Sequence, residues 1–158
     1  MDARAPRVRQ GTLEDAPELA RLRWRFRDEL GTAEESLEVF RERFTRFLEG
    51  AFASGAWAAF VAEVDNRLVG TAYVQMVQKV PVPNDVERHA FGYVTNVYVE
   101  PEARSGGLGA RLVEAAVAWA GEHEPDALVL WPNEASVRFW ERAGFAPPDE
   151  LLERRLDR

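Results

Sequence analysis

The sequence predicts a mixed α/β domain, on three observations. Residues 13–30 and 39–48 carry apolar side chains at three- and four-residue steps, the period of amphipathic helices. Residues 57–64, 68–77 and 90–99 are rich in β-branched and aromatic side chains, as strands are. Glycines at 106, 107 and 109 then introduce a helical stripe, a short wholly apolar run and a second helical stripe. The expected order is two helices, a β-meander and a strand–helix–strand–helix unit.

Each element has its own signals. Residues 7–10 read as a short first strand. Thr12 or Asp15 offers an N-cap for the first helix. Its apolar face is Leu13, Leu19, Leu22, Phe26 and Leu30, and Gly31 suits its end. Ser36 caps a second helix whose stripe is Val39, Phe40, Phe44, Phe47 and Leu48, with Gly50 just past it. Arg41, Arg43 and Arg46 read as its solvated face. Asp65-Asn66 is hairpin-turn chemistry between the first two long strands. Residues 81–85 (Pro-Val-Pro-Asn-Asp) form a loop, and Pro101 ends the third strand. Leu112, Val113, Ala116, Val117 and Ala120 form the stripe of the next helix. Residues 127–131 are continuously apolar, the mark of a buried parallel strand. A last helix over 134–143 stops at Gly144, and residues 151–156 fit strand or helix equally.

The 158 residues fit one domain, 1–158. A chain of this length buries roughly two-thirds of its unfolded surface, so it folds without a staple. There is no cysteine, which excludes disulfides, thiolate metal sites and a cysteine nucleophile. With His89 and His123 as the two histidines, no metal is expected. The first residues lack an apolar signal core, and no apolar run approaches the ~20 residues of a membrane span. No membrane association and a cytoplasmic location are therefore the default expectation. A net charge of −7 argues against a duplex nucleic acid partner.

The chemistry concentrates in residues 94–120: strand, glycine-rich loop, helix. A helix start offers about four unpaired N–H groups and the positive end of the helix dipole, so phosphate binds there when backbone can approach. Gly106, Gly107 and Gly109 remove obstructing side chains, and Arg104 adds a fixed positive charge. A nucleotide-triphosphatase loop needs Lys-Ser/Thr after its last glycine, but Ala110-Arg111 follows here. A dinucleotide fingerprint needs a third glycine where Leu112 stands. A strand–helix turn that merely needs glycine is the plain alternative.

The spacing Val99-x-Pro101-x-x-Arg104-x-x-Gly107-x-Gly109 closely resembles the acetyl-CoA signature of the GNAT N-acetyltransferase superfamily, Arg/Gln-x-x-Gly-x-Gly/Ala. Downstream, residues 133–145 (Asn-Glu-Ala-Ser-Val-Arg-Phe-Trp-Glu-Arg-Ala-Gly-Phe) resemble its second signature, an Asn-led helix ending in a Tyr-Glu-Lys-x-Gly-Phe-like sequence. The resemblance covers nearly the whole chain. It implies a mostly antiparallel α+β sheet of about seven strands flanked by helices. Residues 90–99 and 127–131 would be a parallel pair splayed open around acetyl-CoA, a co-substrate. Backbone at Val97, Tyr98 and Val99 would pair with the pantetheine arm as an added strand. Residues 104–110 (Arg104, Ser105, Gly106, Gly107, Leu108, Gly109, Ala110) would hold the pyrophosphate. Asn133, Ser136, Phe139 and Trp140 would complete the site, although Asn133 also reads as an N-cap and the two aromatics as core.

The reaction so implied is attack of an amine of a small molecule, peptide or protein on a thioester, with a backbone N–H near Val97–Val99 facing the oxyanion. The glutamate that some members place early in this strand is replaced by Tyr93. Glu100 is a candidate base, against the reading of a solvated carboxylate before proline. Asn96, Thr95 and Tyr98 could hold water or substrate. Many members carry a Tyr where Trp140 stands, and an indole N–H is a donor but no usable acid. Tyr98 or Tyr73 would then be the substitute acid. The departures at Tyr93 and Trp140 support an alternative: an acyl-CoA-binding domain without catalysis. The acceptor side (Trp24, Arg27, Asp28, Glu29, Glu34, Glu35, Asp85, Glu87, His89) is acidic on balance, which favours a cationic amine. Monomer and homodimer are both open.

Overall fold

The computed structural model describes residues 5–83 and 90–156. The elements run β1 (Arg7–Gln10), α1 (Ala16–Glu29), α2 (Leu37–Ser54), β2 (Trp57–Val64), β3 (Arg67–Gln78), β4 (Ala90–Val99), α3 (Leu108–Gly121), β5 (Leu128–Val129) and α4 (Val137–Arg142). Single 3-10 turns precede α1, α3 and α4.

Among the described residues the sheet has five strands in sequence order, not seven. The first three pairings are antiparallel and β4–β5 is parallel. Residues 145–148 and 151–156 belong to no strand or helix. Pro147 and Pro148 have no N–H for a ladder, and Leu-Leu-Glu-Arg-Arg-Leu at 151–156 lacks the alternation that would seat a strand.

Local chemistry explains the element ends. The Ser36 hydroxyl accepts from the Val39 N–H at 3.3 Å, a helix cap. α2 runs through Gly50, where the sequence suggested its end, and stops at Gly55. Ala51 is buried and Phe52 packs against the core, and this burial outweighs the cost of about 1 kcal/mol for a glycine within a helix. Asp65 and Asn66 both take positive φ, 48° and 62°, as a tight hairpin turn requires.

The sheet is covered on both faces. Ala58, Phe60, Val74 and Val94 pack against Leu108, Leu112, Ala116 and Ala120 of α3. Ala59, Val61, Tyr73 and Tyr98 pack against Leu19 and Leu22 of α1 and Leu48 of α2.

Two features of β4 open the cleft. First, its register with β3 slips: Thr71 faces Tyr98 and Tyr73 faces Thr95. Asn96 and Val97 thus oppose Ala72 alone, and Asn96 sits at φ 53°. Such a bulge bends the strand and increases its twist. Secondly, among the described residues β4 pairs with β5 at Gly92–Leu128 and Tyr93–Val129, with backbone bonds linking Ala90 and Gly92 to residues 126 and 127 just before it. Gly92 permits that contact, since a Cβ there would clash with Leu128 Cδ2. Beyond Tyr93 the two strands part, and the polar groups on that side of β4 face the gap.

Candidate active site

The gap is a cleft of about 1010 Å³ between β4, the start of α3 and the start of α4. Of the residues expected from the sequence, Val97, Tyr98, Val99, Arg104, Ser105, Gly107, Leu108, Gly109, Ala110, Asn133, Ser136 and Phe139 line it. Gly106, Asn96, Glu100 and Trp140 do not.

The loop after β4 is shaped for close approach by a ligand. Ser105 and Gly107 both take positive φ, each 75°, and Gly107 is the residue before the first turn of α3. The opening N–H groups of a helix have no carbonyl one turn back, and Leu108, Gly109 and Ala110 at the start of α3 line the cleft, a natural seat for phosphate. Arg104 lines the cleft as well. Its Nε donates to the Val99 carbonyl at 2.8 Å, its Nη2 donates to Glu29 at 2.9 Å, and its carbon lies 5.7 Å from the Tyr98 ring centre.

Asn133 does two things. Its Oδ1 accepts from the Ser136 N–H at 2.9 Å, capping the turn into α4, while the residue also lines the cleft. Phe139 and Trp140 divide. Phe139 faces the cleft. Trp140 packs edge-on against Phe139 and Phe145, with ring centres at 5.0 and 5.4 Å, in the core behind it. Adjacent helical residues point about 100° apart, so one aromatic of the pair faces the cleft and the other does not.

Glu100 corrects one reading of its role. It is 1% exposed, so it is no solvated carboxylate. It is ringed by Arg21, Arg25 and Arg67 at 2.5, 2.7 and 3.0 Å and does not line the cleft, so its carboxylate is engaged in ion pairs. Tyr98 donates its hydroxyl to Glu29 and stacks on Phe26 at 5.1 Å. Burial, reinforced by the Glu29 carboxylate, pushes the Tyr98 hydroxyl above its ordinary value, so it stays protonated. Burial also works to raise Glu29, but the hydrogen bonds from Tyr98 and Arg104 outweigh it and hold that carboxyl below the usual range.

The sequence reading missed Val113, Glu114, Val117 and Ala118 on α3, and Ala103, Ala135, Arg142 and Ala143. The α3 residues repeat Gly109 and Ala110 at four-residue steps, so extending the loop's face along the helix would have found them. Arg142, at the end of α4, brings a second cation to the cleft wall. Among the described residues no helix is long and apolar enough to cross a membrane, and no group of acidic and histidine side chains could hold a metal ion.

The model of the acetyltransferase (GNAT) family matches residues 16–145, from the start of α1 to just past α4. The chain belongs to the GNAT acetyltransferase family. Solved structures agree on the fold. A predicted acetyltransferase with acetyl-CoA from Clostridium acetobutylicum is 23% identical, with 96% of each chain covered and a TM-score of 0.77. A GCN5-related N-acetyltransferase from Ralstonia eutropha JMP134 is 23% identical over 96% of this chain and 99% of that one, at 0.76. The aminoglycoside N-acetyltransferase AAC(6')-Iy, in complex with CoA, is 14% identical over 99% and 97%, at 0.73. No curated protein sequence matches this GNAT chain.

Proposed function

We propose that this chain moves an acetyl group from acetyl-CoA to a primary amine of a small molecule, peptide or protein. One observation carries the reading: the cleft between the parted strands brings the Arg104 loop, the start of α3, the edge of β4 and Asn133 onto one continuous surface. Pyrophosphate fits the helix start and pantetheine fits the open strand edge, with Asn133 and Phe139 beside it. The N–H groups of residues 97–99 are the donors for the developing oxyanion.

The departing thiolate needs little help, because a thiol has a pKa of about 8.5. A tyrosine acid at position 140 is therefore dispensable, and Trp140 serves packing instead. Trp140→Phe is expected to keep acetyl transfer within about tenfold while losing some stability, a much smaller loss than the ~10²-fold or more that follows removal of a true general acid. Turnover with acetyl-CoA checks this.

A second reading, an acyl-CoA-binding domain without catalysis, draws on the removal of Glu100 and Trp140 from the cleft. Incubation with acetyl-CoA and an amine panel, following free thiol, separates the two. Amine-dependent thiol release supports the transferase, and tight binding without turnover supports the second reading.

A further inference from the structure

Helix α1 carries arginines at alternating positions, Arg21, Arg23, Arg25 and Arg27. At 3.6 residues per turn they form two pairs, each one turn apart, on roughly opposite sides of the helix. Arg21 and Arg25 both reach Glu100. Arg23 and Arg27 meet no carboxylate among the described residues.

Arg23 faces the sheet. Its guanidinium lies 5.7 Å from the Phe26 ring centre, and Phe26 stacks on Tyr98 of β4. The side chain is half-buried, and the polar groups that act on it are Tyr73, Tyr93 and the like charge of Arg27. Burial, with Arg27 adding to it, lowers the affinity of Arg23 for its proton.

Tyr73 is 3% exposed, and its hydroxyl meets the Thr71 hydroxyl two residues along the same strand in a contact short of full hydrogen-bond geometry. The Thr71 hydroxyl is buried with no better partner among the described residues. Tyr93 pairs with Val129 of β5, and its ring meets Trp131 edge-on at 5.2 Å. The patch therefore lies where β4 and β5 part, on the α1 side of the sheet, with the α3 cleft on the other side.

A half-buried cation that meets no counter-charge among the described residues and a buried pair of hydroxyls with no further partner among them are both unfavourable. One anion placed between them satisfies both, and a guanidinium grips carboxylate or phosphate with two parallel N–H donors. We propose that Arg23, with Arg27 and the Tyr73 hydroxyl, binds a carboxylate or phosphate group carried by the amine acceptor. The inference rests on the acetyltransferase reading and supplies the acceptor's chemical class. It reverses the cationic preference drawn from the acidic residues of the first helices. Two of those acids are engaged: Glu29 with Tyr98 and Arg104, and Glu35 with Arg43. Asp85, Glu87 and His89 lie outside the described residues.

The test uses amines in matched pairs: an α-amino acid against its amide, and an amino sugar phosphate against the unphosphorylated sugar. The two pairs separate carboxylate from phosphate as the recognised group. The wild type is expected to favour the anionic member of one pair by about tenfold or more in kcat/KM. Arg23→Gln should raise KM for that substrate about tenfold to a hundredfold and leave KM for acetyl-CoA and for the uncharged member unchanged. Arg23→Lys should restore part of the preference. Tyr73→Phe should weaken the same substrate by a smaller factor. Equal use of both members, preference for polyamines, or an equal loss for all amines in Arg23→Gln would overturn the proposal. If acetyl-CoA binds but no amine is acetylated, the enzymatic reading fails on its own. Calorimetric titration of the anionic amines then decides the site: Arg23-dependent binding supports it, and no binding overturns it.

Discussion

The two arginine pairs of α1 share a residue type, a helix and a spacing, yet they meet different surroundings. Arg21 and Arg25 converge on the buried Glu100, and Arg21 also donates to the Leu68 carbonyl at 2.7 Å. That side ties the helix to the ends of β3 and β4. Arg23 lies over the Phe26 ring within the influence of Tyr73 and Tyr93, and neither it nor Arg27 meets an acid among the described residues. A guanidinium paired within the fold serves the fold, whereas one left without a counter-charge at some desolvation cost is free to serve a ligand. The difference predicts that the two sides respond oppositely to mutation.

The largest expected effect is at Glu100. Glu100→Gln leaves three guanidiniums facing a neutral amide. Loss of one member of a fully buried pair costs about 3–5 kcal/mol. Here the arginines are 21–55% exposed and can turn toward water, so about 2–4 kcal/mol is expected, read as a lower urea midpoint. Next comes the contrast within α1. Arg25→Ala removes contacts to Glu100 and Glu102 and should cost about 1–2 kcal/mol, while Arg27→Ala should stay within about 0.5 kcal/mol. Equal losses at the two positions would break the comparison. A smaller effect is expected at Tyr73. The Tyr73 hydroxyl has a loose contact with the Thr71 hydroxyl, so Tyr73→Phe should stay within about 1 kcal/mol of the wild type while acceptor affinity falls. A larger loss of stability would show that this contact is a full hydrogen bond that serves the fold.

The smallest effect sharpens the paired side at a remote point. Arg9 grips Asp15 with two hydrogen bonds of 2.8 Å. Those bonds, against the opposing effect of burial and with help from the Thr12 N–H, hold the Asp15 carboxyl below the ordinary range. A depressed carboxyl contributes stability that is present above its unfolded pKa of about 3.9 and lost as pH falls through its folded value. Arg9→Gln should therefore reduce stability at neutral pH and flatten the acid limb of the stability curve below about pH 4. Urea unfolding across that range checks it.

Much of this was legible in the chain. The order of elements, the Ser36 cap, the Asp65-Asn66 turn and the strand spans over 57–64 and 90–99 all follow from a few consecutive residues, and local rules cover that range. The Arg104 loop was legible for the same reason: its glycines and the helix stripe behind them are adjacent in sequence. The stop of α2 at Gly55 rather than Gly50 was not, because burial of Ala51 and Phe52 against the sheet outweighs the glycine. Nor was the division between Phe139 and Trp140, since which side of α4 faces the cleft depends on how the helix packs.

Sequence by itself determined an α/β chain with a glycine-rich loop at a helix start and an Asn-led final helix, because helix period, turn chemistry and glycine conformation are properties of short segments. Tertiary structure alone decided what the charged residues do. Glu100 read as a base or a solvated acid, and became a buried ion-pair centre once α1, 79 and 75 residues away at Arg21 and Arg25, was laid against the end of β4. The same docking left Arg23 over the Phe26 ring with no counter-charge among the described residues. Ion pairing depends on distance in space, and no local pattern of four alternating arginines states which two of them will find an acid.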